Sequence, residues 1–294
     1  MRFFITLSFC GTAYCGWQVQ PDAPSVQERL EQALATLLRR PVGVTGAGRT
    51  DAGVHAAMMV AHFDAQADEL PRSPRPEQTP MEYLVYRLNA ILPHDIAIND
   101  IRLVPDDMHA RFSATARTYY YYVHTHKSPF LCDRSWRLVA VPDFELMNRA
   151  AAMLLDVSDF TSFARLHSDA KTNICHVTRA QWVQLSPTEW RFEITADRFL
   201  RNMVRAVVGT LMDVGRGRLT LDGFRRVIAD KNRCAAGDSV PAWGLFLQEV
   251  KYSPSPDPSP VREGNSGGER KALLEGNLSP SLTGEGLGEG QLCG

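Results

Sequence analysis

The chain has 294 residues, of which 44% are hydrophobic and 22% charged, the balance of an ordinary globular protein large enough for two domains. It contains no apolar run of the roughly 20 residues a membrane-crossing helix needs. The apolar stretch at Phe3–Leu7 is too short for a signal peptide, so a cytoplasmic protein without membrane association is expected. The net charge of −1 argues at first against a polyanionic partner, but residues 253–294 carry three basic against six acidic side chains, which leaves the body at +2. A near-neutral body can still hold a basic cleft, because binding follows local potential.

Residues 3–9 alternate, with Phe3, Ile5, Leu7 and Phe9 on one face, and predict a strand. Ser25 followed by Glu28 is a capping signature, and Val26, Leu30, Ala33, Leu34, Leu37 and Leu38 form one helical stripe that Pro41 ends. A strand is expected from Val54 to Phe63. Thr79-Pro80-Met81-Glu82 opens a second helix that runs to Leu92 before Pro93. Ile96 to Val104 reads as a third strand.

The order then recurs: a tyrosine-rich strand at Ala114–His124, a helix at Phe144–Leu155, and a hairpin of Val177–Leu185 and Glu189–Ala196. A helix at Phe199–Val214, a short one at Leu221–Ile228 and a closing strand at Gly244–Tyr252 complete it. The two halves have the layout of pseudo-repeats without sequence identity. Hairpins mixed with crossover helices predict an α+β fold with a largely antiparallel mixed sheet. The expected division is 1–110, 111–252 and a low-complexity tail, 253–294, too rich in Ser, Pro and Gly to bury a core.

The six cysteines form no CxxC pair, and none is spaced with histidines as zinc ligands usually are. His55 and His62, seven residues apart on a strand, fall on opposite faces and are read as structural. No metal site is expected.

The densest information lies in Gly46-Ala47-Gly48-Arg49-Thr50-Asp51-Ala52-Gly53-Val54-His55-Ala56. Three glycines permit positive φ and close approach of a second backbone. The loop lacks the GK[ST] and following helix of a phosphate-binding P-loop, and the DxD pattern of aspartyl-phosphate enzymes.

This segment resembles the central motif of pseudouridine synthases, and its flanks resemble the TruA branch of that family. Gly11-Thr12-Ala13-Tyr14-Cys15-Gly16-Trp17-Gln18 and Val26-Gln27 precede it. Phe112-Ser113-Ala114-Thr115-Ala116-Arg117-Thr118-Tyr119, Asp159-Phe160-Thr161-Ser162-Phe163, Phe199-Leu200-Arg201-Asn202-Met203-Val204-Arg205 and Pro241-Ala242-Trp243-Gly244-Leu245 follow it in family order. The likeness covers about residues 3–252. One departure is Cys10, where the family usually has an acidic residue.

The resemblance implies the pseudouridine synthase fold and a cofactor-free isomerase that acts on uridines 38, 39 and 40 in the tRNA anticodon stem-loop. It implies a homodimer in which one tRNA touches both subunits. Asp51 would be the essential carboxylate, Arg205 its partner, and Tyr119 the ring that stacks on the target base. Arg49 would enter the space left by the everted nucleotide. Arg198 and Arg201 belong to a stretch, residues 197–233, with nine basic against four acidic side chains, which fits contact with phosphates. Arg39 and Arg40 would extend that surface.

The chemistry agrees with these residue types. Pseudouridine formation breaks one C–N glycosidic bond and forms a C–C bond from the same uracil to the same ribose, with no net redox change. One carboxylate suffices, by attack on the sugar, by attack on the base, or by assisting glycal formation. An adjacent arginine favours its ionised form. A uracil in a stacked stem must be everted, and an aromatic face can then hold it. A hydroxyl at Tyr119 would also stand near C5, where a proton leaves.

The bland alternatives are a turn aspartate at 51, a solvated arginine at 49 and an exposed helical arginine at 205. Within Tyr119–Tyr122, alternate members face opposite sides of a strand, so at least two are expected to be structural. Two other functions compete: an RNA-binding module without chemistry, which has little use for a carboxylate near phosphates, and a hydrolase, for which no second carboxylate at a suitable spacing stands out.

Overall fold

A computed structural model describes residues 1–165 and 171–253; the tail expected at 253–294 otherwise lies outside the described residues. The first strand, β1 (Arg2–Phe9), pairs antiparallel with β3 (His55–Asp64) and with β4 (Ile96–Val104). A two-residue strand, β2 (Thr45–Gly46), lies against β3. In the second half, β5 (Ala114–His124) pairs antiparallel with β8 (Glu189–Ala196), and β8 with β7 (Val177–Ser186). The short β6 (Trp136–Arg137) runs parallel to the end of β5.

The last strand among the described residues, β9 (Leu245–Tyr252), joins the halves. It pairs parallel with β3 and antiparallel with β5, giving the order β4-β1-β3-β9-β5-β8-β7. The sheet is mixed and mostly antiparallel, the α+β class expected.

The first helix, α1 (Val26–Leu38), buries Val26, Leu30, Ala33, Leu34 and Leu38, one stripe at helical spacing. Ser25 Oγ accepts from the Glu28 N–H, and Arg39 ends the helix in the left-handed region at φ 55°. Helix α2 (Pro80–Ile91) starts with a full capping box between Thr79 and Glu82. These helices and the strands β1, β3 and β4 enclose one hydrophobic core, which Leu247 and Val250 of β9 complete.

A second core lies under α3 (Phe144–Ala152), α4 (Met203–Gly215) and α5 (Leu221–Ala229). The strand β5 and the helix α4 both contribute to it, through Tyr121, Val123, Met203, Val207 and Leu211. The α3 segment was expected to run helical to Leu155; it tightens into a 3₁₀ turn at Met153–Asp156.

The α4 segment departs further. Expected from Phe199, it starts at Met203, because Asn202 takes a left-handed conformation at φ 65°. Phe199 and Met203 keep helical spacing, which is why the pattern misleads. From Met203 to Val214 nearly every side chain is buried, so α4 is a central helix and not a one-sided surface helix.

Candidate active site

The Asp51 loop gets its shape from the segment Gly11–Trp17 laid beneath it. Trp17 N–H donates to Thr50 O at 3.3 Å, and Gly53 N–H donates to Tyr14 O at 3.2 Å. Gly16 has φ 100°, and a Cβ there would stand 2.3 Å from Thr50 O, so only glycine fits. A Cβ on Gly46 would meet the Trp17 ring at 2.6 Å. Val54 N–H closes the turn on Asp51 O at 3.2 Å. His55 Nδ1 accepts from Gly11 N–H at 3.1 Å, fixing the start of the supporting segment to the end of the loop. His55 is thus structural, as expected.

Two guanidinium groups face the Asp51 carboxylate. Arg201 Nε stands 3.6 Å from Oδ1 and Arg205 Nη1 stands 3.8 Å from Oδ2. Arg205 Nε donates to Val240 O at 2.7 Å, which fixes the plane of the group and leaves one arm toward Asp51. Arg201 comes from the turn before α4, not from the helix, and its approach to Asp51 was missed in the sequence. Asn202 Nδ2 donates to Ser239 Oγ at 2.6 Å and holds that turn. The carboxylate is 26% exposed, so it is sheltered yet reachable by a ligand.

Tyr119 lies on β5 between Ile194 of β8 and Leu247 of β9. Its ring meets Phe199 edge to face at 5.0 Å. Burial pushes its phenol up to about 12, against the pull of Arg117 and with the Asp51 charge adding to the rise. The phenol is therefore neutral at physiological pH. The other three tyrosines divide as strand alternation requires. Tyr121 is fully buried and donates to Pro241 O at 2.9 Å, while Tyr120 stacks under Arg191 at 4.1 Å and Tyr122 meets Phe246 at 5.2 Å.

Arg117 is a second residue that sequence reasoning passed over. Its guanidinium donates to the carbonyls of Ala114, Asp197, Ala47 and Arg111. One cation thereby ties the Asp51 loop, the turn before β5 and the turn that carries Arg198 and Arg201. Only carbonyls receive it, and any residue type supplies a carbonyl, so no side-chain motif announced the role.

The structure therefore brings together Asp51, Arg201, Arg205 and Tyr119. Arg49 is exposed on the same loop, two residues before Asp51. Arg198 is half-buried, and its N–H donates to Asp197 Oδ1 at 2.7 Å. Much of the remaining basic stretch is engaged elsewhere. Lys231 pairs with Asp159 at 2.9 Å, Arg225 pairs with Asp222, and Arg233 donates to the carbonyls of Ala236 and Gly237. Arg40 pairs with Glu69 and donates to Asp64 O.

A sequence profile described as tRNA pseudouridine synthase matches residues 5–113 and 150–253. A protein of Bacteroides thetaiotaomicron named tRNA pseudouridine synthase A is 53% identical over 253 residues, 85% of this chain and 90% of the relative. The protein of that name from Porphyromonas gingivalis is 52% identical over 254 residues, covering 85% of this chain and 97% of the relative. One from Syntrophotalea carbinolica is 38% identical over 253 residues, covering 85% and 96%.

Proposed function

The chain belongs to the tRNA pseudouridine synthase family, isomerases that act on tRNA, and from that premise we propose that Asp51 is the carboxylate that converts uridine to pseudouridine at positions 38, 39 and 40 of the anticodon stem-loop. The observation that carries this reading is the Asp51 carboxylate facing Arg201 and Arg205 at 3.6 and 3.8 Å beside the Tyr119 ring. These separations are too long for closed hydrogen bonds. The guanidinium groups hold a negative charge in place without occupying its oxygens.

The reaction breaks the bond from N1 to C1′, turns the uracil, and joins C5 to C1′. N1 gains a proton and C5 loses one to solvent. Asp51 attacks the sugar or the base, or assists glycal formation. Tyr119 holds the everted uracil by its ring. As a neutral phenol it is a hydrogen-bond donor rather than a ready base. Arg49 fills the gap left in the RNA stack, and Arg198 and Arg201 meet phosphates. No cofactor is needed, because no electrons are exchanged.

The enzyme works in the cytoplasm as a homodimer in which each tRNA touches both subunits. Residues 1–110 and 111–252 act as its two domains.

Tritium release from tRNA labelled at C5 of uridine tests the assignment. The wild-type chain releases label. Asp51→Asn binds tRNA and loses release by at least about 10³-fold. Unchanged release by this variant would remove Asp51 from the chemistry.

A further inference from the structure

The turn between β4 and β5 is tied down firmly yet displays a large apolar side chain to solvent. Ala110 is fully buried; its N–H donates to His62 Nδ1 at 3.1 Å and its carbonyl accepts from Tyr252 Oη at 2.7 Å. Ser113 and His109 bond each other twice, from N–H to O and from N–H to Oγ, both at 2.9 Å. Arg117 grips the Arg111 carbonyl. Phe112, at the tip, is nevertheless 76% exposed. The Arg111 guanidinium stands 5.6 Å from its ring centre and the His109 ring 4.4 Å. Both pack against the ring, yet most of it stays open to solvent.

With 76% of its surface exposed, the ring adds little to the hydrophobic core. Arg117 also binds Ala47 of the Asp51 loop at 3.1 Å and Asp197 of the Arg201 turn at 2.7 Å. The tip is thus in rigid connection with the site. Unpaired RNA bases are recognised by stacking on aromatic rings and guanidinium planes. We propose that Phe112, with Arg111 beside it, is a stacking platform for an unpaired base flanking the target uridine. This rests on the function proposed above.

Binding of tRNA to the full chain, with single-turnover tritium release, tests it. Phe112→Ala should weaken tRNA binding roughly 5- to 150-fold. The loss should appear in Kd and KM, with a smaller change in the maximal release rate and an unaltered melting temperature. Phe112→Trp should restore binding and show fluorescence quenching on addition of tRNA, whereas Phe112→Leu should not restore it. Wild-type affinity in Phe112→Ala, or full rescue by Leu, overturns the platform. So does conversion of a dimer to a monomer by Phe112→Ala, which would make the ring a contact between copies. If the wild-type chain binds tRNA but releases no tritium, the chemistry assigned to Asp51 falls while the platform stands on the binding data alone.

Discussion

Asp51 sits on a loop shaped by glycines and main-chain hydrogen bonds, whereas Arg205 projects from α4, a helix buried on nearly every side. The two halves of the molecule thus fix their charges by different means. In the first half the position of the carboxylate depends on how closely the Gly11–Trp17 segment lies against Thr50. In the second half the guanidinium is as well placed as the core packing around α4, with Val240 O setting its plane. A loop held this way is sensitive to single atoms but carries little of the fold's stability. A central helix carries much stability and is displaced only when the core gives way.

That contrast can be broken from the core side first. Leu211→Ala removes a fully buried side chain of α4 and should cost about 3 kcal/mol. Thermal or urea unfolding measures it. Below the melting transition, release of label should fall far less than stability does. A variant that lost activity in proportion would show that α4 is not the rigid mount described.

The loop side should respond in the opposite way. Gly16→Ala places a Cβ against Thr50 O in a conformation that L residues avoid. Tritium release should fall about 30-fold, equivalent to ~2 kcal/mol. The melting temperature should fall less than in Leu211→Ala. Equal loss of stability in the two variants would erase the distinction between halves.

Acid sharpens the comparison by the smallest step. Burial lowers His62 to about 4, with Arg2 and His109 adding to the shift. The folded chain therefore binds this proton more weakly than the unfolded chain. The neutral ring's contribution is intact above about pH 6.5 and is lost as the pH falls toward 4, on the order of 1–2 kcal/mol. His62→Asn keeps an acceptor for Ala110 N–H without the titration, so its stability should fall less steeply over that window. His55, His109 and His124 are displaced in the same direction, so part of the slope should remain.

Much of this architecture was legible because local chemistry agrees with the fold. The Thr79–Glu82 box marks where α2 starts, and the limits of β4, β5 and β8 fall where the alternation places them. The start of α4 was misread because asparagine tolerates the left-handed region, and a turn of four residues preserved the apolar spacing. At the candidate site, Asp51, Arg205 and Tyr119 could be singled out in the sequence as residue types that would suit the proposed reaction. The approach of Arg201 depended on that same turn. Arg117 was hidden because its partners are carbonyls as far as 80 positions away.

The place of β9 between β3 and β5 bears on how the protein is made. The last strand among the described residues fills the middle of the sheet, so a nascent chain emerging from the ribosome exposes two unpaired strand edges until residue 252 is free. Early-emerging segments must wait for it, which favours slow, late closure. Truncations that remove those eight residues should yield insoluble chains rather than a shorter enzyme.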